Sequence, residues 1–168
     1  MELGNIKAQS GKEAKEDEVQ VVEFIIGEDK FAVNLFDVRE IVEASKITPL
    51  PHAPSHVRGI IDLRGEITTI IDLRQLLRIK AAKDVSTADL RFIVMDDTVS
   101  SQKTGIVVDE VTSVLTVPVK DIDQATNGGA DDGGHILGVI KKEVGERGES
   151  RKELVIWIDV RELISTVS

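Results

Sequence analysis

From residue 19 onward the chain alternates short apolar runs with polar turns, and most of the runs are too short and too β-branched to suit helices. Two of them, Ile60–Arg64 and Ile70–Arg74, both read IIDLR and stand ten residues apart with Gly65 and Glu66 between them. Each predicts a strand, and Gly65 supplies the turn of a hairpin. After Asp72, residues Leu73, Leu76 and Leu77 fall at i, i+3 and i+4, one face of a short helix. After Asp62 come Leu63, Arg64 and Gly65, and there the chain must turn. Val19–Ile26, apolar on both faces, and Phe31–Leu35 predict an earlier hairpin about Gly27, Glu28 and Asp29. Further strands are expected at Leu90–Met95, Thr104–Asp109, Val111–Val117, His135–Lys141 and Leu154–Ile158. In the last, Leu154, Ile156 and Ile158 face one way, and Val155 and Trp157 the other.

A capping pattern recurs three times, at Asp37–Val42, Asp72–Leu77 and Asp159–Ile164. In each, an Asp suited to an N-cap is followed three residues later by Glu or Gln, over apolar positions at helical spacing. The expectation is three short helices, each closing a strand. On this reading Asp72 is only a cap, and Asp72→Asn is expected to be tolerated. Pro49, Pro51 and Pro54 predict a stiff, extended connection. Lys80–Asp89, Asn127–Gly134 and Glu143–Lys152 read as loops, and Met1–Glu18 as a disordered polar tail preceding a folded region over 19–168. Nine or ten short strands and three helical turns make an all-β fold.

Composition narrows the function. Of the 168 residues, 41% are apolar, enough for a substantial core, but only Phe24, Phe31, Phe36, Phe92 and Trp157 are aromatic. The absence of Cys excludes disulfides, zinc–thiolate sites and cysteine nucleophiles. A net charge of −9 argues against nucleic acid and suits protein partners. No apolar run approaches a membrane span, so a soluble, cytoplasmic protein is expected. Asp62 and Asp72 could be imagined as the acid–base pair of a small β-barrel hydrolase, but a turn acid and a helix cap explain them. His52 and His56 have Pro54 between them and no third ligand near, so no metal site is expected. The glycine-rich Asn127–Gly134 lacks the order of a calcium or phosphate loop. Neither a catalytic site nor a cofactor follows from any of these. Arg64 is different: it stands beside a turn glycine with neither a helix nor an i,i+4 acid to explain it.

The combined pattern resembles the CheW family of chemotaxis adaptors. The hairpin leading into V-R-E-I lies at Phe31–Ile41, a P-x-x-P-x-x-V-x-G-I-I-D-L-R-G string at Pro51–Gly65, and a second I-D-L-R string at Ile70–Arg74. Gly105–Leu115 and Leu154–Ile164 match later blocks, so the resemblance runs from Val19 to Ile164. Asp62 stands where the family usually has Asn, Thr69 replaces a common Pro, and Phe31-Ala32 replaces Tyr-Gly. The resemblance implies two five-stranded, SH3-like β-barrels with a hydrophobic groove between them. It also implies a non-catalytic adaptor that joins the cytoplasmic tips of chemoreceptors to the regulatory domain of the histidine kinase CheA, or serves another receptor–kinase array. Carried over by motif, the receptor-facing positions are Val38, Glu40, Gly59 and Arg64; no kinase-contacting residue is placed this way.

Overall fold

The computed structural model describes residues 17–79, 89–124, 135–145 and 150–166. The N-terminal tail up to residue 16, most of the 80–89 loop and the glycine-rich stretch from 127 to 134 lie outside the described residues. Eleven strands are present among the rest. They are β1 (Glu18–Ile26), β2 (Asp29–Asn34), β3 (Val38–Glu43), β4 (Val57–Leu63), β5 (Glu66–Asp72) and β6 (Arg91–Met95). There follow β7 (Thr104–Val108), β8 (Glu110–Pro118), β9 (Ile122–Gln124), β10 (Ile136–Val144) and β11 (Arg151–Ile158). Two α-helices, α1 (Leu73–Leu77) and α2 (Val160–Ser165), and two 3-10 turns, Leu35–Asp37 and Val119–Asp121, complete them.

The strands form two sheets, in the orders β8-β1-β2-β11-β10-β9 and β3-β6-β7-β5-β4. The fold is the expected all-β pair of small barrels, and the first sheet carries a sixth strand, the three-residue β9. The first barrel takes its strands from both ends of the chain, while the second is the continuous stretch between them. Parallel pairings join β2 to β11 in one sheet and β5 to β7 in the other. Strands β10 and β11 run to Val144 and from Arg151, so the ladder extends into the expected 143–152 loop.

Alternation along the strands creates three apolar cores. Val21, Ala32, Val117, Ile122, Ile140 and Val155 fill the first barrel. Ile61, Ile70, Leu90, Phe92 and Val107 fill the second. The largest core lies between the sheets, where Val22, Phe24 and Ile26 of β1 meet Ile71, Ile93 and Ile106 of the other sheet and Val160, Leu163 and Ile164 of α2. This explains why β1 is apolar on both faces: Val21 enters the barrel and Val22 the space between barrels. The expected faces of β11 are found too, with Ile156 and Ile158 towards the shared core and Val155 and Trp157 inside the barrel, although Leu154 at the rim is exposed.

Inside the first barrel, four charged side chains lie near the apolar core. Glu23, completely buried, accepts hydrogen bonds from the Thr112 hydroxyl and from Lys142 Nζ at 3.1 Å. Lys30 pairs with Glu153 at 2.6 Å. Thr112 is the extra residue of a bulge, because Glu23 pairs with Ser113 and Phe24 with Val111.

Two of the three expected helices form. Asp72 Oδ1 accepts the Arg74 amide at 2.9 Å, and Asp159 Oδ1 the Glu162 amide at 3.1 Å, each capping its helix. The third expectation is corrected: Val38–Val42 lies within strand β3, paired with β6. A bulge between Val38 and Glu40 sets Val38 opposite Met95 and Ile41 opposite Ile93, both residues of the shared core. Two apolar residues three apart therefore share a face, as they would on a helix, but in a strand with one extra residue. Asp37, freed from capping, is buried and accepts from Arg161 Nε at 2.7 Å.

Candidate partner-binding site

The IIDLR repeat forms the β4–β5 hairpin, with Leu63 opposite Glu66 and only Arg64 and Gly65 in the loop. Both loop residues have positive φ, 52° and 88°, the backbone that lets a two-residue loop follow the twist of its strands. Asp62 Oδ1 accepts the Gly65 amide at 2.8 Å and braces the turn. A non-glycine residue is thus held in the left-handed region at the tip, with its side chain thrown outward and 66% exposed.

That side chain meets Glu40. The Arg64 guanidinium donates to Glu40 Oε1, joining the hairpin tip to edge strand β3. The hydrogen bond from Arg64 holds the Glu40 carboxyl below its ordinary value; partial burial opposes this, and the charges of Arg64 and Arg39 add to it. The same bond raises Arg64 above its ordinary value. A second set of ion pairs lies alongside. Arg39 Nη1 stands 3.5 Å from Glu66 and 3.6 Å from Asp97, and Lys103 Nζ 3.7 Å from Glu66 and 2.6 Å from Asp97. Strands β3 and β4 are the two edges of their sheet, so these charges span a seam that the backbone ladder leaves open there. Further along, the seam is closed by backbone: the amides of Thr48 and Ile60 donate to each other's carbonyls at 2.8 and 2.9 Å.

Of the four positions singled out from sequence, the structure brings two together, Glu40 and Arg64. Val38 turns to the other face of the bulge and packs against the shared core. Gly59 is buried with φ 146°, and a Cβ there would lie 2.2 Å from the Thr48 carbonyl oxygen. Its part is to let the 47–48 segment approach β4, and it has no side chain to offer a partner. Sequence reasoning missed Ile41 and Ile67, large apolar residues 39% and 58% exposed on the same two elements as Glu40 and Glu66. Their signal was an apolar residue next to a charged one on an edge strand and at a hairpin tip.

The arrangement does not assemble an acid–base pair. Asp62 sits opposite Ile67 beside the hairpin tip, while Asp72 ends β5 at the open end, five residues on and about 16 Å along the strand. Asp72 is buried beneath two guanidiniums: Arg74 Nη2 at 3.0 Å and Arg58 Nη1 at 3.3 Å. Burial pushes its carboxyl up, but hydrogen bonds from the Arg74 side chain and amide, with the charges of Arg74 and Arg58, outweigh this and leave it below its ordinary value. Among the described residues there is no group of three or more His, Asp or Glu placed to hold a metal ion, and no helix long and apolar enough to cross a membrane.

Comparison with known proteins agrees with this architecture. The family model for the CheW-like domain matches residues 20–168. A chemotaxis protein CheW of Rhizobium meliloti is 38% identical over 103 residues, which are 61% of this chain and 64% of that protein. The chemotaxis protein CheW of Helicobacter pylori is 28% identical over 157 residues, covering 94% of this chain and 88% of that one. In three dimensions, the crystal structure of scaffolding protein TtCheW from Thermoanaerobacter tengcongensis superposes with a TM-score of 0.69 at 28% identity, covering 84% of this chain and 89% of that chain.

Proposed function

The chain belongs to the CheW-like family, and on that premise we propose that it is a non-catalytic chemotaxis adaptor coupling chemoreceptor signalling tips to the histidine kinase CheA. It works in the cytoplasm, at receptor arrays beneath the membrane, and scaffolds the array so that receptors control the kinase. The observation that supports this most is the Glu40–Arg64 pair on an exposed seam, with Ile41 and Ile67 exposed on the same strand and hairpin. Apolar side chains beside a guanidinium with donors to spare suit an amphipathic helical partner that carries acids or amides near its contact stripe. Val38, Glu40, Gly59 and Arg64 divide accordingly. Glu40 and Arg64 are the contact pair, Val38 supports β3 from beneath, and Gly59 keeps the β4 side of the seam in place. The regulatory domain of CheA occupies a separate surface.

The test is a titration of a labelled receptor signalling fragment against the wild-type chain and Arg64→Ala, with and without CheA. Binding of the receptor fragment is expected to weaken roughly ten- to a hundred-fold in the variant, as for an interface arginine anchor. CheA binding in the absence of receptor is expected to stay unchanged. Unchanged receptor affinity in a folded Arg64→Ala protein would displace the site from this seam.

A further inference from the structure

The hydrophobic attraction between the barrels is itself non-directional, and directional polar bonds add to packing in setting how one barrel lies on the other. Helix α2 continues from β11 of the first barrel, and its Val160, Leu163 and Ile164 enter the shared core. Arg161, on the opposite side of that helix turn, is half-exposed and makes three directional bonds. Nε donates to the buried Asp37 at 2.7 Å, Nη1 to the Thr98 carbonyl at 2.9 Å, and Nη2 to the Thr98 hydroxyl at 2.7 Å. Asp37 lies in the 3-10 turn where the chain leaves the first sheet for the second, and Thr98 in the turn between β6 and β7 of the second sheet. These two acceptors are themselves tied: the Asp96 amide donates to the Asp37 carbonyl at 2.8 Å, and Asp96 Oδ2 accepts the Thr98 hydroxyl at 2.7 Å and its amide at 3.0 Å. One guanidinium therefore joins a helix of the first barrel, the crossover and a turn of the second barrel.

We propose that Arg161 is the pin that fixes the relative orientation of the two barrels, and that removing it loosens their mutual placement while each barrel stays folded. The fork of a guanidinium suits this task, because it can hold a carboxylate and a turn at once and a single ammonium cannot. Small sliding of packed layers is the ordinary way such interfaces shift when directional bonds are lost. The inference rests on the fold alone and is independent of which partner the seam binds.

The protein has no cysteine, so pairs of spin labels can be placed at will. Glu43→Cys with Lys152→Cys reports the distance between barrels, and Glu110→Cys with Lys152→Cys a distance within the first; all three positions are exposed. Electron–electron distance measurements on the full chain should show the inter-barrel distribution at least doubling in width in Arg161→Ala, with the intra-barrel one unchanged. Arg161→Lys, able to reach Asp37 but not Thr98 as well, should fall between. An unchanged inter-barrel distribution overturns the proposal, and so does equal broadening of both pairs, which would mean that the barrel itself has loosened. If Arg161→Ala does not fold, Thr98→Val takes its place: it keeps the shape and removes one acceptor, and the same two outcomes decide.

Discussion

Glu40 and Arg64, twenty-four residues apart in sequence, are bonded to each other across the open edge of the second barrel. The pair closes a seam where no backbone ladder runs, and on the proposed function a partner either reads it intact or takes Arg64 from Glu40. The charge-swapped double variant Glu40→Arg/Arg64→Glu tests whether the identity of the two charges matters. Its thermal midpoint should fall only slightly, since the pair is re-formed but the swapped charges face Arg39 and Glu66 of like sign, while receptor-fragment binding stays lost. Recovery of binding in the swapped protein would mean that only the closed seam matters, whatever the identity of its charges.

Gly59→Ala should be costly out of proportion to its size. The backbone there is at φ 146°, and the added methyl would press on the Thr48 carbonyl and on Ile47. Relieving that contact breaks the Thr48–Ile60 pairing, and a loss on the order of 3 kcal/mol is expected from strain and lost hydrogen bonds. Chemical denaturation would show it as a lower midpoint at unchanged slope. Gly65→Ala, whose added methyl meets nothing within 4 Å, should be milder because only the positive φ opposes it.

Asp72→Asn is the substitution on which sequence and structure part. As a cap it would be nearly silent, because Asn accepts a helix amide about as well as Asp. Buried against Arg58 and Arg74, however, the carboxylate also answers two positive charges, and its replacement is expected to cost about 1–2 kcal/mol. Its pKa is lowered in the folded protein, so the stability it contributes is present above the ordinary value of 3.8 and disappears as pH falls through the lower folded value. Melting curves between pH 6 and pH 2, in roughly half-unit steps, should show the variant and wild type converging at the acid end. Parallel curves would place the acid sensitivity elsewhere.

Glu23 offers a different contrast. Truncating it to Ala removes the nearest counter-charge of Lys142, which stays partly exposed with Glu153 close by, a loss of about 1–3 kcal/mol. Replacing both partners, Glu23→Leu with Lys142→Leu, should recover most of that loss, since a buried pair gives little net stability over an apolar isostere. Calorimetry of these variants, with Glu23→Leu and Lys142→Leu each alone, completes the cycle. If the double variant were as unstable as the single one, the Thr112 bulge would be the element that needs the carboxylate.

The strands were legible because β-branched runs between turn residues have few alternatives, and the hairpin tip because IIDLR is repeated around a single glycine. Strand β3 was misread for a definite reason: its bulge puts Val38 and Ile41 on one face, and sequence spacing alone cannot distinguish that from a helix turn. Strand β9 carried almost no signal. It has one buried residue, Ile122, and forms because it continues β8 past a 3-10 turn and meets β10. Arg64 could be singled out by the lack of any local role for it, but its partner could not. By spacing alone Glu40 reads as the acid of a helix cap, whereas it lies in strand β3 and its contact with Arg64 depends on how the second sheet curls. Asp37 shows the same limit, since its partner Arg161 is 124 residues away.

The crossed path of the chain bears on how the molecule comes to be made. The second barrel is one unbroken stretch from β3 to β7 and can close as soon as that stretch is available. Strands β1 and β2 precede that stretch, but their neighbours β8 and β11 follow it in the chain, β11 last among the strands. A hairpin of two strands is at best marginal in water, so the apolar β1 spends that interval incompletely covered. A released chain ending at Val108 should therefore present a closed second barrel with a sticky leading hairpin, the natural place for a chaperone to hold and the first place for two such chains to pair wrongly.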